Sequence, residues 1–151
     1  MTINKILKDK PYIECIIDLI NDKTLKLETF THHKHTTRLR HSLNVSYYNY
    51  IICKFLKLDA KSAARAGLLH DFFFYDRKDF DKNVYKHNHF SAHPKIALEN
   101  ASQNFDINKK EADIILKHMW PVTFTLPRYR ESIIIIMVDK YCSIMELIRR
   151  R

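Results

Sequence analysis

Residues 60–75 read AKSAARAGLLHDFFFY, and the fold is read outward from them. Asp59 is placed to cap a helix that runs from Ala60 to about His70. Ala63, Ala66 and Gly67 give that helix a face small enough for a neighbouring helix to press close. Leu68 and Leu69 then lead into an ionisable pair, His70-Asp71, which is followed at once by three phenylalanines. A polar pair between apolar runs is expensive to bury unless something answers its charge. Residues 72–92 are aromatic and charged with weak periodicity, which predicts a long functional loop.

On the N-terminal side a long helix is expected from about Arg38 to Leu58. His41, Val45, Tyr48, Ile52 and Phe55 recur along it at helical spacing and are predicted to form one buried stripe. Residues 11–20 make an apolar helix that Pro11 starts in its first turn, and Asn21 to Thr37 is polar and expected to be helical in part. On the C-terminal side His93-Pro94 is expected to open a helix whose apolar positions are Ile96, Ala97, Leu98 and Ala101. Asn108 to Glu111 has the form of a capping box, starting a helix that runs through Ile114, Ile115 and His118 until Pro121. Glu131 to about Ile148 is a strongly apolar helix with Ile135, Asp139, Cys142 and Glu146 on one face. The sum is an all-α bundle of five or six helices in one domain, with residues 1–37 as a helical extension packed on a core of 38–151.

Composition narrows the chemistry. Among 151 residues Gly67 is the sole glycine, so GxGxxG dinucleotide loops, GxxxxGK phosphate loops and GxSxG elbows are arithmetically impossible. Cys15, Cys53 and Cys142 form no CxxC pair and read as small core residues of a reducing compartment. The longest apolar run, Ile133 to Val138, is far short of the ~20 residues a membrane crossing needs. Glu14 and Asp18 break the N-terminal apolar stretch, so no signal peptide is expected. A cytoplasmic protein follows. The net charge of +9 favours anionic partners. Lys and Arg are spread along the chain except for the Arg149-Arg150-Arg151 tail, so nucleic acid is a possible partner but not the favoured one.

His41 on an apolar stripe, His70-Asp71, His118 on the face of Ile114-Ile115, and Asp139 at the end of the most hydrophobic run are all expected to point inward. Imidazole and carboxylate together suit Fe, Mn, Co, Ni or Zn better than Ca or Mg. Neighbouring residues on a helix point about 100° apart, so His70 and Asp71 project in different directions.

His41 within RHSLNV, AGLLHD leading into His70-Asp71, and an apolar helix ending in Asp139 resemble the H…HD…D signature of the HD-domain metal-dependent phosphohydrolase superfamily. The resemblance covers roughly residues 38–148. His93 and His118 resemble the extra histidines of members that hold two metals. The pattern is similar to small bacterial enzymes that hydrolyse dinucleoside polyphosphates. It implies a first divalent metal on His41, His70, Asp71 and Asp139, and a second reached by bridging Asp71 and completed by His93 and His118, with His70 and Asp71 as catalytic residues. His87 and His89 remain alternatives to His93. Arg77 or Lys78 replaces the lysine many such enzymes carry after the HD pair; with Lys117 they are candidates for substrate phosphate. Lys82, Lys86, Arg128 and Arg130 also flank the site in sequence. His32, His33 and His35 have no nearby carboxylate and read as surface or helix-junction residues. Phe72 to Tyr75 read as the wall of the site, with base stacking as the alternative. The implied activity is hydrolysis of a phosphoester or phosphoanhydride of a nucleotide or small phosphorylated metabolite. The alternatives are a di-iron oxygenase and a non-enzymatic nucleotide-binding module.

Overall fold

A computed structural model describes residues 6–33, 36–81 and 88–148. It is an all-α bundle: seven α-helices and one small two-stranded ribbon among the described residues. The helices are α1 (Lys10–Ile16), α2 (Asp22–Leu25), α3 (Arg38–Phe55), α4 (Ala60–Leu69), α5 (His89–Asn104), α6 (Lys109–Lys117) and α7 (Arg130–Ile148). The ribbon pairs β1 (Thr31–His33) with β2 (Thr36–Thr37) in antiparallel register. Short 3₁₀ turns at Ile17–Leu19 and Lys26–Thr29 carry the chain from α1 through α2 to the ribbon, and another lies at Arg77–Asp79.

Helix α4 is the hub, packing on α1, α3, α6 and α7. The side chain of Asp59 caps it by accepting from the Ser62 amide at 3.0 Å. Gly67 is where α3 comes nearest: a Cβ there would lie 2.7 Å from the Ser46 Cα. Only glycine permits that approach. Ser46 bonds across the same seam to the Ala64 carbonyl at 2.6 Å and receives the Tyr12 hydroxyl at 2.8 Å. Through Tyr12, Ile16, Leu19 and Leu27, all buried, the N-terminal elements join the core.

Three local expectations are corrected. The stripe proposed for α3 begins well, with His41 and Val45 buried, but Phe55 is 84% exposed. α3 also buries Arg38, Ser42, Ser46, Asn49 and Cys53, with Ser46 and Asn49 lying against Gly67 of α4. Small and polar groups are what the close seam at Gly67 admits, and apolar spacing does not detect them. Helix α5 begins at His89, not His93: the Asn88 side chain caps it by accepting from the Ser91 amide at 2.9 Å. Pro94 therefore sits inside the helix, and a cap won over a proline start. The residue 72–92 loop is correspondingly shorter and holds a 3₁₀ turn. Helix α6 keeps its Asn108–Glu111 capping box but ends at Lys117, before Pro121.

Candidate metal centre

Helix ends build the centre. His70 is the C-cap of α4, and its Nδ1 donates to the Gly67 carbonyl at 2.9 Å, one of the carbonyls that the helix end leaves unpaired. His118 is the C-cap of α6 and repeats the arrangement with the Ile115 carbonyl at 2.7 Å. His93, on the second turn of α5, donates Nδ1–H to the His89 carbonyl at 3.0 Å. In each ring the backbone thus fixes the proton on Nδ1 and leaves Nε2 as a lone pair.

Those lone pairs converge. His93 Nε2 lies 2.9 Å from His118 Nε2, two acceptors face to face. His70 Nε2 is buried and has no hydrogen-bond partner among the described residues. Asp71, arriving just after α4, straddles the three. Its Oδ1 is 3.4 Å from His93 Nε2 and 3.9 Å from His118 Nε2. Its Oδ2 is 3.8 Å from His70 Nε2. On the far side Asp139 of α7 brings Oδ1 to 3.0 Å from His41 Nε2 and 3.7 Å from His70 Nε2. His41/His70/Asp71, His70/His118/Asp139 and Asp71/His93/His118 each place their donor atoms within 4.8 Å of one another.

This donor set fits divalent transition metals. Buried lone pairs aimed at one another cost free energy unless a cation lies between them, and imidazole with carboxylate is the set such ions take. The electrostatics agree. Burial pushes the His93 imidazole down to about 3, outweighing the Asp71 charge, and burial with the neighbouring His70 imidazole lowers His118, so both remain neutral. Burial alone would raise the Asp71 carboxyl, yet His70, His93, His32 and His118 hold it well below the usual carboxylate range. Burial would also neutralise His41, but hydrogen bonds to Asp139 and Glu146 hold its imidazole up at about 10. The bond from His41 and the neighbouring His70 imidazole hold Asp139 well below its ordinary value, against the effect of burial.

All six side chains expected at the centre, His41, His70, Asp71, His93, His118 and Asp139, are brought together. Two others that were not expected join them. Glu146 accepts from His41 Nδ1 at 3.1 and 3.2 Å. His32, read from sequence as surface material, stacks on His41 with ring centroids 3.6 Å apart and is half-buried. The signal for Glu146 was present, since it lies on the face of Asp139. No local signal marks His32, because the ribbon that carries it has no periodic pattern.

A cavity of about 370 Å³ opens over Asp71, His93, His118 and Asp139. Phe73, Phe90, Met119 and Ile144 line it, with Arg77 and Lys140 beside them. Arg77 stacks its guanidinium over Phe90 at 4.5 Å. The aromatic run is wall: Phe72 and Phe73 are buried, and Arg38 lies 3.8 Å over the Phe73 ring. Of the other basic candidates, Lys78 is exposed and does not line the cavity. Lys117 is buried in an ion pair with Asp113 and, with Arg128, lines a different groove. His89 stacks on His93 at 4.8 Å and lines the cavity. His87, His35, Lys82, Lys86 and the Arg149–Arg151 tail lie outside the described residues.

The sequence pattern of the HD domain matches residues 38–143. The chain belongs to the HD domain family, whose members are for the most part metal-dependent phosphohydrolases. No curated protein and no solved structure matches it. Among the described residues no helix is long and apolar enough to cross a membrane.

Proposed function

We propose that this chain is a two-metal phosphohydrolase that cleaves a phosphoester or phosphoanhydride of a nucleotide or small phosphorylated metabolite. The observation that carries the reading is the Asp71 carboxylate lying between two sets of imidazole lone pairs, Oδ1 toward His93 and His118 and Oδ2 toward His70. His41, His70, Asp71 and Asp139 would hold one ion; His93, His118 and the other oxygen of Asp71 would hold the second. Ions so held supply Lewis-acid stabilisation of the phosphoryl oxygens and a water acidified toward neutral pH.

The protein's own part is orientation and charge. Backbone carbonyls lock three rings in the tautomer that presents Nε2. Asp71 stays ionised and keeps the two positions in register. Arg77 and Lys140 supply cationic contacts for substrate phosphate, taking the role that sequence reading offered to Arg77, Lys78 and Lys117. Phe90, Met119 and Ile144 give the organic part of the substrate an apolar wall. A cavity of about 370 Å³ suits one nucleotide or a smaller phosphate ester. A dinucleoside polyphosphate is accommodated with only one half inside.

The test is a panel of nucleoside mono-, di- and triphosphates, dinucleoside polyphosphates and simple phosphomonoesters, offered to protein loaded with Mn or Fe at verified stoichiometry. Release of phosphate or nucleotide that is lost in Asp71→Asn is expected. Silence across the panel with two equivalents of metal bound would overturn the reading.

A further inference from the structure

Two of the eight ionisable side chains at the centre stand apart from the rest. His32 and Glu146 lie on either side of residues 38–143, the span that matches the family pattern. One comes from ribbon strand β1 and the other from the last turns of α7. A carboxylate near a helix C-terminus works against the helix dipole, and Glu146 is also largely shielded, with its side chain 9% exposed. Two imidazoles answer that cost. His41 Nδ1 lies 3.1 Å from Glu146 Oε2, and His32 Nδ1 lies 3.4 Å from the same oxygen. His32 then reaches in the other direction, its Nε2 3.5 Å from Asp71 Oδ2. Its ring lies nearly parallel to His41, inclined by 16°.

His32, His41 and Glu146 also place donor atoms within 4.8 Å of one another. Rings stacked 3.6 Å apart nonetheless keep their lone pairs in separate, nearly parallel planes, so His32 and His41 are poorly aimed at a common ion. What His32 does touch is the pair of groups whose orientation sets the His41 side of the centre: Glu146, which accepts from His41, and the Asp71 oxygen facing His70. A carboxylate that accepts the Nδ1–H of a metal-facing histidine fixes its tautomer and raises the basicity of Nε2.

We propose that His32 and Glu146, which lie outside the span matching the family pattern, are positioning residues that orient His41 and strengthen ion binding chiefly at the His41/His70/Asp139 position. The proposal rests on the metal-centre reading above. Glu146 meets His41, which belongs to that position only, at 3.1 Å. Where His32 meets the shared Asp71 it does so at 3.5 Å through Oδ2, the oxygen facing His70, so the effect falls mainly on that side.

The experiment measures metal affinity by competition with a calibrated chelator, for each equivalent, in the native chain, Glu146→Gln and His32→Phe. Glutamine is isosteric with glutamate. Phenylalanine keeps a ring over His41 but removes both nitrogen contacts, and it carries the test if Glu146→Gln fails to fold. The expected result is a loss of about 10–100-fold in affinity for one equivalent, with the second changed far less and full stoichiometry still reached at high metal. Both equivalents weakening together, or neither, would mean the contacts merely pin the ribbon to α7, and the proposal falls. Complete loss of one equivalent at saturating metal would make Glu146 a ligand and overturn it as well. A native chain that binds no metal would sink the proposed function itself; a native chain that binds two while the variants match it would sink this inference alone.

Discussion

Two polar clusters, one around Arg65 within helix α4 and one around Asp71 just past its C-terminal end, are built on opposite rules. Around Arg65 every nitrogen of the guanidinium meets an oxygen: Nε donates to Glu111 at 2.7 Å, Nη1 to Asp18, and Nη2 to the Asp106 carbonyl at 3.1 Å. Asn108 closes the network through Ser62 and the second oxygen of Glu111. Donor meets acceptor throughout. Around Asp71, by contrast, acceptors meet acceptors: His93 and His118 oppose their Nε2 atoms, and His70 Nε2 has no hydrogen-bond partner among the described residues. A satisfied network holds a fold together. A cluster of convergent lone pairs is unfinished by protein atoms alone and is shaped for a cation.

That contrast can be broken by experiment. The largest effect is expected from Asp71→Asn, which keeps the shape but removes the charge between the two imidazole sets. Hydrolysis should fall on the order of 10³-fold, the scale for removing one preorganised electrostatic group, while the thermal midpoint of the metal-free protein moves little. A midpoint that drops as far as the activity would place Asp71 with the structural cluster instead. Arg65→Met should do the reverse. It leaves Glu111 buried without its cation, and burial already raises that carboxyl. The cost expected from denaturant unfolding is about 3–5 kcal/mol, with two equivalents of metal still bound by the folded protein.

Gly67→Ala tests the seam on which both clusters depend. The added Cβ would meet backbone of α3, not a flexible side chain, so a loss of about 1–3 kcal/mol is expected. Activity should drop with it, because α3 carries His41 and α4 leads into His70. The smallest effect concerns pH. Burial raises the Asp113 carboxyl, but Lys117, Ser132 and the Arg128 amide more than offset it, so its pKa is lowered from 3.8 on folding. A depressed carboxylate contributes stability that is present above its unfolded value and lost as pH falls through the folded one. Thermal midpoints measured from pH 5 down to pH 2 should therefore decline, and Asp113→Asn should flatten part of that slope. An unchanged slope would remove Asp113 from the structural set.

How much of this could be read from residues alone depended on the range of the signal. The capping box at Asn108–Glu111 and the cap at Asp59 are local, and both appear where the sequence puts them. The apolar stripe of α3 holds in part, with Tyr48 and Ile52 packed partly buried against the core, but it fails at Phe55, and the small-residue face of α4 is met by other residues. A spacing rule that scores only apolar side chains does not register Ser42, Ser46 and Asn49. His93 was expected at a helix start and stands a full turn inside α5, because the Asn88 cap lay outside the pattern being followed. His32 was set aside for want of a nearby carboxylate in sequence, yet both its carboxylates are close in space.

Residue types, helical periodicity and a glycine count of one determined that this chain is an all-α bundle carrying an inward set of histidines and aspartates. Those properties are local, so the linear order of side chains is sufficient to express them. Only the tertiary structure decided that Glu146 meets His41 across 105 residues of chain, that His32 closes over both, and that Phe55 stays in solvent. Such pairings depend on which helices pack and at what register. Packing is a cooperative property of the whole core, and no window of sequence contains it.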